Sequence, residues 1–249
     1  MTFMHPQIIR LNEIHSTNDY LEEILMEKQL PEGSMVVARH QTHGKGQGNN
    51  HWESEAGRNL TFSVVLYPDF ILAEQQFLLT QLTSLSLCQL LDSLKLPERA
   101  MIKWPNDIYL GNRKVAGMLI KNNICNNAIS QTIAGIGLNV NQTVFTANAP
   151  IAVSLAMITG REYNLDDLLT MWHTAFEQGY DSIRKGDFAK LDQDYLGRLY
   201  LLNQTSDYSI QDERLRATIT GIGKYGMLKL TAEDGRKFTC GLKEVVFER

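Results

Sequence analysis

Three short stretches hold the residues whose types and spacing could do chemistry. The first is Gly44-Lys45-Gly46-Gln47-Gly48, set in residues 40–50, which contain no aliphatic side chain. Glycines at alternate positions let backbone N–H groups approach a ligand closely, and Lys45 between them offers a charge for an anion. Glycine-rich segments also serve as plain flexible surface loops, and this stretch alone leaves both readings open. It is not the dinucleotide pattern GxGxxG, because residue 49 is asparagine. It is not a P-loop either: residue 39 is arginine where the first glycine is required, and no Ser or Thr follows Lys45. The second stretch is Lys103-Trp104-Pro105-Asn106-Asp107, with Lys114 following in a hairpin. A charge at each end of a short hairpin can face one cleft, where Asp107 could hold magnesium and Lys114 could neutralise a phosphate. A solvated hairpin is the plainer alternative. The third is Gly135-Ile136-Gly137-Leu138-Asn139-Val140-Asn141. Small residues in a strand mark either close approach of a ligand or a bulge at a sheet edge.

Other residues invite weaker readings. His40, His43 and His51 crowd the glycine loop, but such a loop holds no imidazole rigidly enough to favour a metal site. Trp52 can stack on a purine or anchor the loop to the core. Ser16-Thr17-Asn18 reads as a helix cap whose hydroxyls and free N–H groups could also meet a polar ligand.

The elements that must position these residues follow from periodicity and punctuation. A short strand at residues 8–11 precedes a helix of about three turns from Thr17, stopped by Pro31 and Gly33. Residues 35–38 form a strand that feeds the glycine loop. Residues 59–67 alternate Leu60, Phe62, Val64 and Leu66 against Thr61, Ser63 and Val65, which predicts a half-buried strand. Residues 74–96 are a helix, apolar around so much of its circumference that it belongs in the core. Strands are predicted at 101–104, 108–110, 114–120 and 129–141, with an asparagine-rich turn at 122–127. Helices follow at 152–159, 165–185 and 188–199, the second burying Trp172 and Phe176. Past about residue 203 only short strands between glycine turns remain, which predicts a small β-barrel.

Composition sets the outer bounds. The chain has 249 residues, 43% of them hydrophobic and 21% charged, with a net charge of −4. These are ordinary values for a globular protein, and the acidic balance argues against a nucleic-acid-binding face. No signal peptide or run of eighteen apolar residues occurs, so no membrane association is expected. Cys88, Cys125 and Cys240 are few and widely spaced. They read as free thiols in a reducing compartment, and the expected location is the cytoplasm.

Taken together, the motifs resemble those of the biotin–protein ligase family (biotin–[acetyl-CoA-carboxylase] ligase). The matching pieces are Ser16-Thr17-Asn18, Gln41, Gly44-Lys45-Gly46, Trp52, Gly57-x-Asn59-Leu60, Lys103-Trp104-Pro105-Asn106-Asp107, Lys114-Val115-Ala116-Gly117 and Gly135-Ile136-Gly137-Leu138-Asn139. They stand in the family's order, over residues 10–145. The resemblance implies an α+β fold: a mixed β-sheet with helices on one side, of the class II synthetase-like kind, in residues 1–202, and an SH3-like barrel in residues 203–249.

It also implies the reaction. Biotin and ATP, with Mg2+, give biotinyl-5′-AMP, and biotin is then transferred to a lysine of a biotin carboxyl carrier protein or domain of a biotin-dependent carboxylase. Carried over by position, Lys114, Lys45 and Asp107 would be catalytic, with Asp107 the metal ligand. Ser16, Thr17 and Gln41 would bond the ureido ring, beside Asn18. Gly44, Lys45, Gly46 and Gln47 would wrap the biotin tail and phosphate. Trp52 and Asn139 would meet the adenine, Asn106 would support ATP, and Gly117 would lie at the site beside Lys114.

Two departures stand out. The family's loop usually reads Gly-Arg-Gly-Arg-x-Gly, and here lysine and glutamine replace the arginines. The short stretch before the first matching strand leaves no room for a DNA-binding helix-turn-helix, so repression of a biotin operon is not expected. The rival readings are a lipoate–protein ligase on the same fold and a non-catalytic biotin-binding sensor. Homodimer formation and the acceptor's identity stay open.

Overall fold

The computed structural model describes residue 3, residues 5–48, 50–146, 149 and 151–248. Asn49, which rules out the dinucleotide pattern, lies outside the described residues. Seven strands form one sheet: β1 (Ile8–Ile14), β2 (Met35–Gln41), β3 (Leu60–Leu66), β4 (Ala100–Lys103), β5 (Asp107–Leu110), β6 (Arg113–Cys125) and β7 (Ala128–Leu138). Their order in space is β1-β2-β3-β7-β6-β5-β4. Only β1 and β2 run parallel, and the remaining neighbours are antiparallel, so the sheet is mixed.

β3 lies well inside this sheet, and its seven residues are all buried. The expectation of a half-buried strand is therefore corrected. Its apolar face, including Phe62, packs on α2 (Phe77–Ser93) and α4 (Leu165–Arg184), where the Phe62 and Trp172 rings are 4.6 Å apart. Its other face, with Thr61, Ser63 and Val65, lies under α1 (Thr17–Glu27). Strand alternation alone puts these two sets on opposite sides. The longer helices α2 and α4 therefore share one side with α5 (Phe188–Leu196), and α1 covers the other. Helix α2 is buried over most of its circumference, polar Gln81, Thr83, Ser84 and Ser86 included, because it is wedged between the sheet and α4.

Caps explain several boundaries. Ser16 accepts from Asp19 N at the start of α1. Asn164 accepts from the N–H groups of Asp166 and Asp167 at the start of α4. Ser154 does the same for the short α3 (Leu155–Thr159), so this helix begins three residues later than its apolar pattern predicts. Strand β6 runs on to Cys125, and the expected turn shrinks to Asn126-Asn127, both with positive φ.

Strands β8 (Thr205–Ile210), β9 (Glu213–Ile222), β10 (Leu228–Ala232), β11 (Lys237–Cys240) and β12 (Val245–Phe247) form a second, antiparallel sheet in the order β11-β10-β9-β8-β12, consistent with an SH3-like fold. Its core side chains, Tyr208, Ile219 and Leu230 among them, join the same apolar cluster as the first sheet. A buried polar contact also ties the two: Trp104 Nε1 donates to Gly226 O at 2.8 Å. No helix among the described residues is long and apolar enough to cross a membrane. All three cysteines are free thiols, Cys125 exposed and the others buried.

Candidate active site

The glycine loop folds into a small flap. Gly46 N donates to Asn50 O and Trp52 N donates to Gly44 O, both at 2.8 Å, and Lys45 bridges to His51. Its base is anchored at the β1–β2 edge, where Thr42 N and His43 N donate to the carbonyls of Ile14 and His15. The flap stands over the end of the sheet where α1 begins. Between them is a cleft.

Most residues singled out from the sequence line this cleft: Ser16, Thr17, Asn18, Gln41, Lys45, Gly46, Gln47, Trp52, Asn106, Asp107, Lys114 and Gly117. Gly44 and Asn139 do not. Gly44 forms the foot of the flap. Asn139 is buried beyond the end of β7, where its Nδ2 donates to Val153 O at 3.2 Å and its Oδ1 has no partner among the described residues. The sequence reading missed Asn50, His51, Met118 and Leu119 as lining residues.

The floor is bare backbone. Gly117 and Gly137 are register partners on β6 and β7. A Cβ on Gly137 would lie 2.3 Å from Trp52 Cε2, and one on Gly135 would lie 2.3 Å from Asn18 Oδ1. β7 sits between β3 and β6 with unbroken pairing from Leu60–Leu138 to Leu66–Thr132. A bulge at a sheet edge is thereby excluded, and close approach is the reason for glycine here. Trp52 rests on this floor, with its Nε1 buried and unpaired among the described residues.

Two lysines enter the cleft, each with a carboxylate. Lys114 Nζ lies 2.6 Å from Asp107 Oδ1 and 5.6 Å from the centroid of the Trp52 ring. Lys45 Nζ reaches across the mouth to Asp19 Oδ2 at 2.6 Å. Next to it Lys121 bonds Glu22 at 2.8 Å, and that carboxylate raises the lysine's pKa above its ordinary value. Asn106 is fixed on both sides: its Nδ2 donates to Met118 O at 2.7 Å and its carbonyl accepts from Met118 N at 3.0 Å. Among the described residues no group of three or more His, Cys, Asp or Glu side chains converges to hold a metal.

At the closed end, α1 presents a polar wall. Thr17 N donates to Gln41 Oε1 at 2.8 Å, and Asn18 Nδ2 donates to Leu119 O at 3.1 Å. Beneath them lies Ser63, fully buried, with Oγ 2.7 Å from Thr17 Oγ1 and 2.6 Å from Asn18 Oδ1. A second cleft opens from the first across Gln47, Asn106 and Met118 toward Tyr225 and Leu242 of the C-terminal unit.

Comparison with known proteins agrees with this architecture. Residues 11–139 match the biotin/lipoate A/B protein ligase family. The chain is 30% identical to the bifunctional ligase/repressor BirA of Bacillus spizizenii over 184 residues, 71% of this chain and 54% of that protein. It is 26% identical to the biotin--[acetyl-CoA-carboxylase] ligase of Paracoccus denitrificans over 230 residues, 89% of this chain and 93% of that one. The chain thus spans about half the length of the Bacillus relative. Among solved structures, the Aquifex aeolicus biotin protein ligase in complex with biotin and ATP superposes with a TM-score of 0.81 at 24% identity, over 98% of this chain and 100% of that one.

Proposed function

The chain belongs to the biotin/lipoate A/B protein ligase family, and on that premise we propose that it is an ATP-dependent ligase that activates biotin as biotinyl-5′-AMP and transfers it to a lysine of a biotin carboxyl carrier domain. The observation that carries the reading is the convergence of residues from 16 to 137 on one cleft: a polar wall from α1, two lysines and a glycine floor.

In the first step an oxygen of the biotin carboxylate attacks the α-phosphorus of ATP, and the bond to pyrophosphate breaks. Two anions must meet, so the barrier is largely electrostatic. Lys114 and Lys45 lower it by offsetting charge on the carboxylate and the phosphate. Their carboxylate partners keep both ammonium groups in place before the substrates arrive. In the second step the acceptor lysine's neutral amine attacks the anhydride carbonyl, AMP leaves, and an amide forms. The flap excludes water from the anhydride in between.

The remaining roles follow the cleft. Ser16, Thr17 and Gln41 face the ureido ring, and the backbone from Lys45 to Gln47 encloses the biotin tail and phosphate. Trp52 packs beside the adenine. Asn139 is buried outside the cleft with its Nδ2 on Val153 O, so no adenine contact is assigned to it. Asp107 fits as a magnesium ligand: Oδ1 holds Lys114, and Oδ2 has no protein partner among the described residues. One carboxylate joined by phosphate oxygens and water is a common donor set for Mg2+, which would draw negative charge from the phosphates. We assign residues 1–202 to catalysis and 203–249 to an SH3-like unit whose cleft beside Tyr225 gives the acceptor lysine a way in.

The test is transfer of labelled biotin, with MgATP, to a carrier domain. Transfer supports the proposal. Transfer only of lipoate would replace it with a lipoate ligase, and binding of biotin without transfer would replace it with a sensor.

A further inference from the structure

Around Ser63 there are three hydroxyl contacts and only two hydroxyl protons. Ser63 Oγ lies 2.6 Å from Asn18 Oδ1 and 2.7 Å from Thr17 Oγ1, and Thr17 Oγ1 lies 3.1 Å from Gln41 Oε1. The orientations of both amides are fixed independently. Asn18 Nδ2 donates to the Leu119 carbonyl, so its Oδ1 faces Ser63. Gln41 Oε1 accepts from Thr17 N, so it is an oxygen that faces Thr17. Each hydroxyl has one proton to donate, and one of the three oxygen pairs must go without.

Distance decides which. Leaving the 2.6 Å or the 2.7 Å pair without a proton sets two oxygens together well inside ordinary hydrogen-bond spacing. Leaving the 3.1 Å pair bare costs least. The chain of donation therefore runs Thr17 Oγ1–H to Ser63 Oγ, Ser63 Oγ–H to Asn18 Oδ1, and Asn18 Nδ2–H to Leu119 O. Thr17 Oγ1 and Gln41 Oε1 are left as two acceptors 3.1 Å apart with no proton between them. Both residues line the cleft.

We propose that Ser63 is a positioning residue that fixes Thr17 as a hydrogen-bond acceptor, so that the closed end of the cleft selects a ligand carrying a ring N–H. An N–H entering between the two oxygens satisfies both, and a ring oxygen or CH2 in its place leaves them opposed. Ser63 touches no ligand and acts through the Thr17 proton. The proposal rests on the biotin reading, since the ureido ring supplies such an N–H. It also gives a reason why an aliphatic dithiolane, which has no N–H, is a poor fit for this wall.

The experiment measures binding by calorimetry of biotin and of the two cyclic carbamate analogues in which one ring N–H is replaced by oxygen. It compares the wild type, Ser63→Ala, Thr17→Val and the double variant. The wild type should prefer biotin to the poorer carbamate by about a hundredfold, since buried acceptors are left unpaired by the analogue. Ser63→Ala should weaken biotin about tenfold. It should also collapse the preference to about tenfold or less, because the freed Thr17 proton can turn to the ring oxygen. In the Thr17→Val background, Ser63→Ala should have little further effect.

If Ser63→Ala does not fold, Ser63→Cys keeps the shape with a weaker donor and should fall between the two. An equal loss for biotin and both carbamates, or an undiminished Ser63→Ala effect in the Thr17→Val background, overturns the role of Ser63 and leaves the ligase reading intact. Failure of the wild type to bind biotin overturns the ligase reading and this role with it.

Discussion

Lys114 Nζ and Asp107 Oδ1 lie 2.6 Å apart across the β5–β6 hairpin, and both residues line the cleft. The pair holds the ammonium where charge builds during adenylate formation. Lys114→Ala should slow pyrophosphate release in the first step by about a hundredfold or more. The fold should survive, with urea stability within about 1 kcal/mol of wild type, because the pair is partly solvated. Near-normal pyrophosphate release from a folded Lys114→Ala would remove Lys114 from catalysis.

Gln47 stands where the resemblance leads one to expect a second arginine, and it lines both clefts. Gln47→Arg should slow release of the adenylate about tenfold, the size of one added charge-assisted hydrogen bond. Off-rates from stopped-flow chase would decide it, and equal rates for the two proteins would sink the idea.

Trp104 Nε1 donates to the carbonyl of Gly226 inside the junction between the two sheets. Trp104→Phe keeps most of the ring but leaves that buried carbonyl without its donor. Unfolding stability should drop by about 1–3 kcal/mol, read from the denaturant midpoint, and limited proteolysis should cut the C-terminal unit more readily. A variant as stable as wild type would show that apolar packing alone holds the junction.

His173 is packed beside Phe3, with ring centroids 5.7 Å apart, and its Nε2 is buried without a partner among the described residues. Desolvation lowers its pKa from the ordinary 6.5. Between the lowered folded value and 6.5 the unfolded chain binds more protons, so stability falls as pH drops through that window. His173→Gln should flatten this part of the stability–pH curve. Denaturant midpoints from pH 7.5 to 5 would test it, and an unchanged slope would rule His173 out as the source.

The site was legible where chemistry depends on local strings. Lys103 to Asp107, Lys114 to Gly117 and the flap all carry their own turn and charge signals, and the structure draws Asn106, Asp107, Lys114, Gly117 and the flap to one cleft. Ser63 was not legible. In the sequence it is one polar residue of an alternating strand, which normally means solvent. Only the position of β3 inside the sheet, with α1 laid over that face, turns it into a buried partner of Thr17. The same holds for Gly135 and Gly137: whether paired glycines mark an edge bulge or a ligand floor depends on which strands flank β7, and one of them, β3, is far away in the chain. Asn139 was found by its motif and misplaced by it, since the strand ends at Leu138 and the side chain turns to Val153 and away from the cleft.

The glycine floor also limits how the protein can change. Gly117, Gly135 and Gly137 have no side chain left to remove, and any replacement adds atoms where Trp52, Lys114 or Asn18 already stands. At these three positions substitution can therefore only shrink the chamber. Versions that accept bulkier ligands, whether selected in the laboratory or by descent, must gain their room elsewhere in the lining, at Leu119, Trp52 or along the flap.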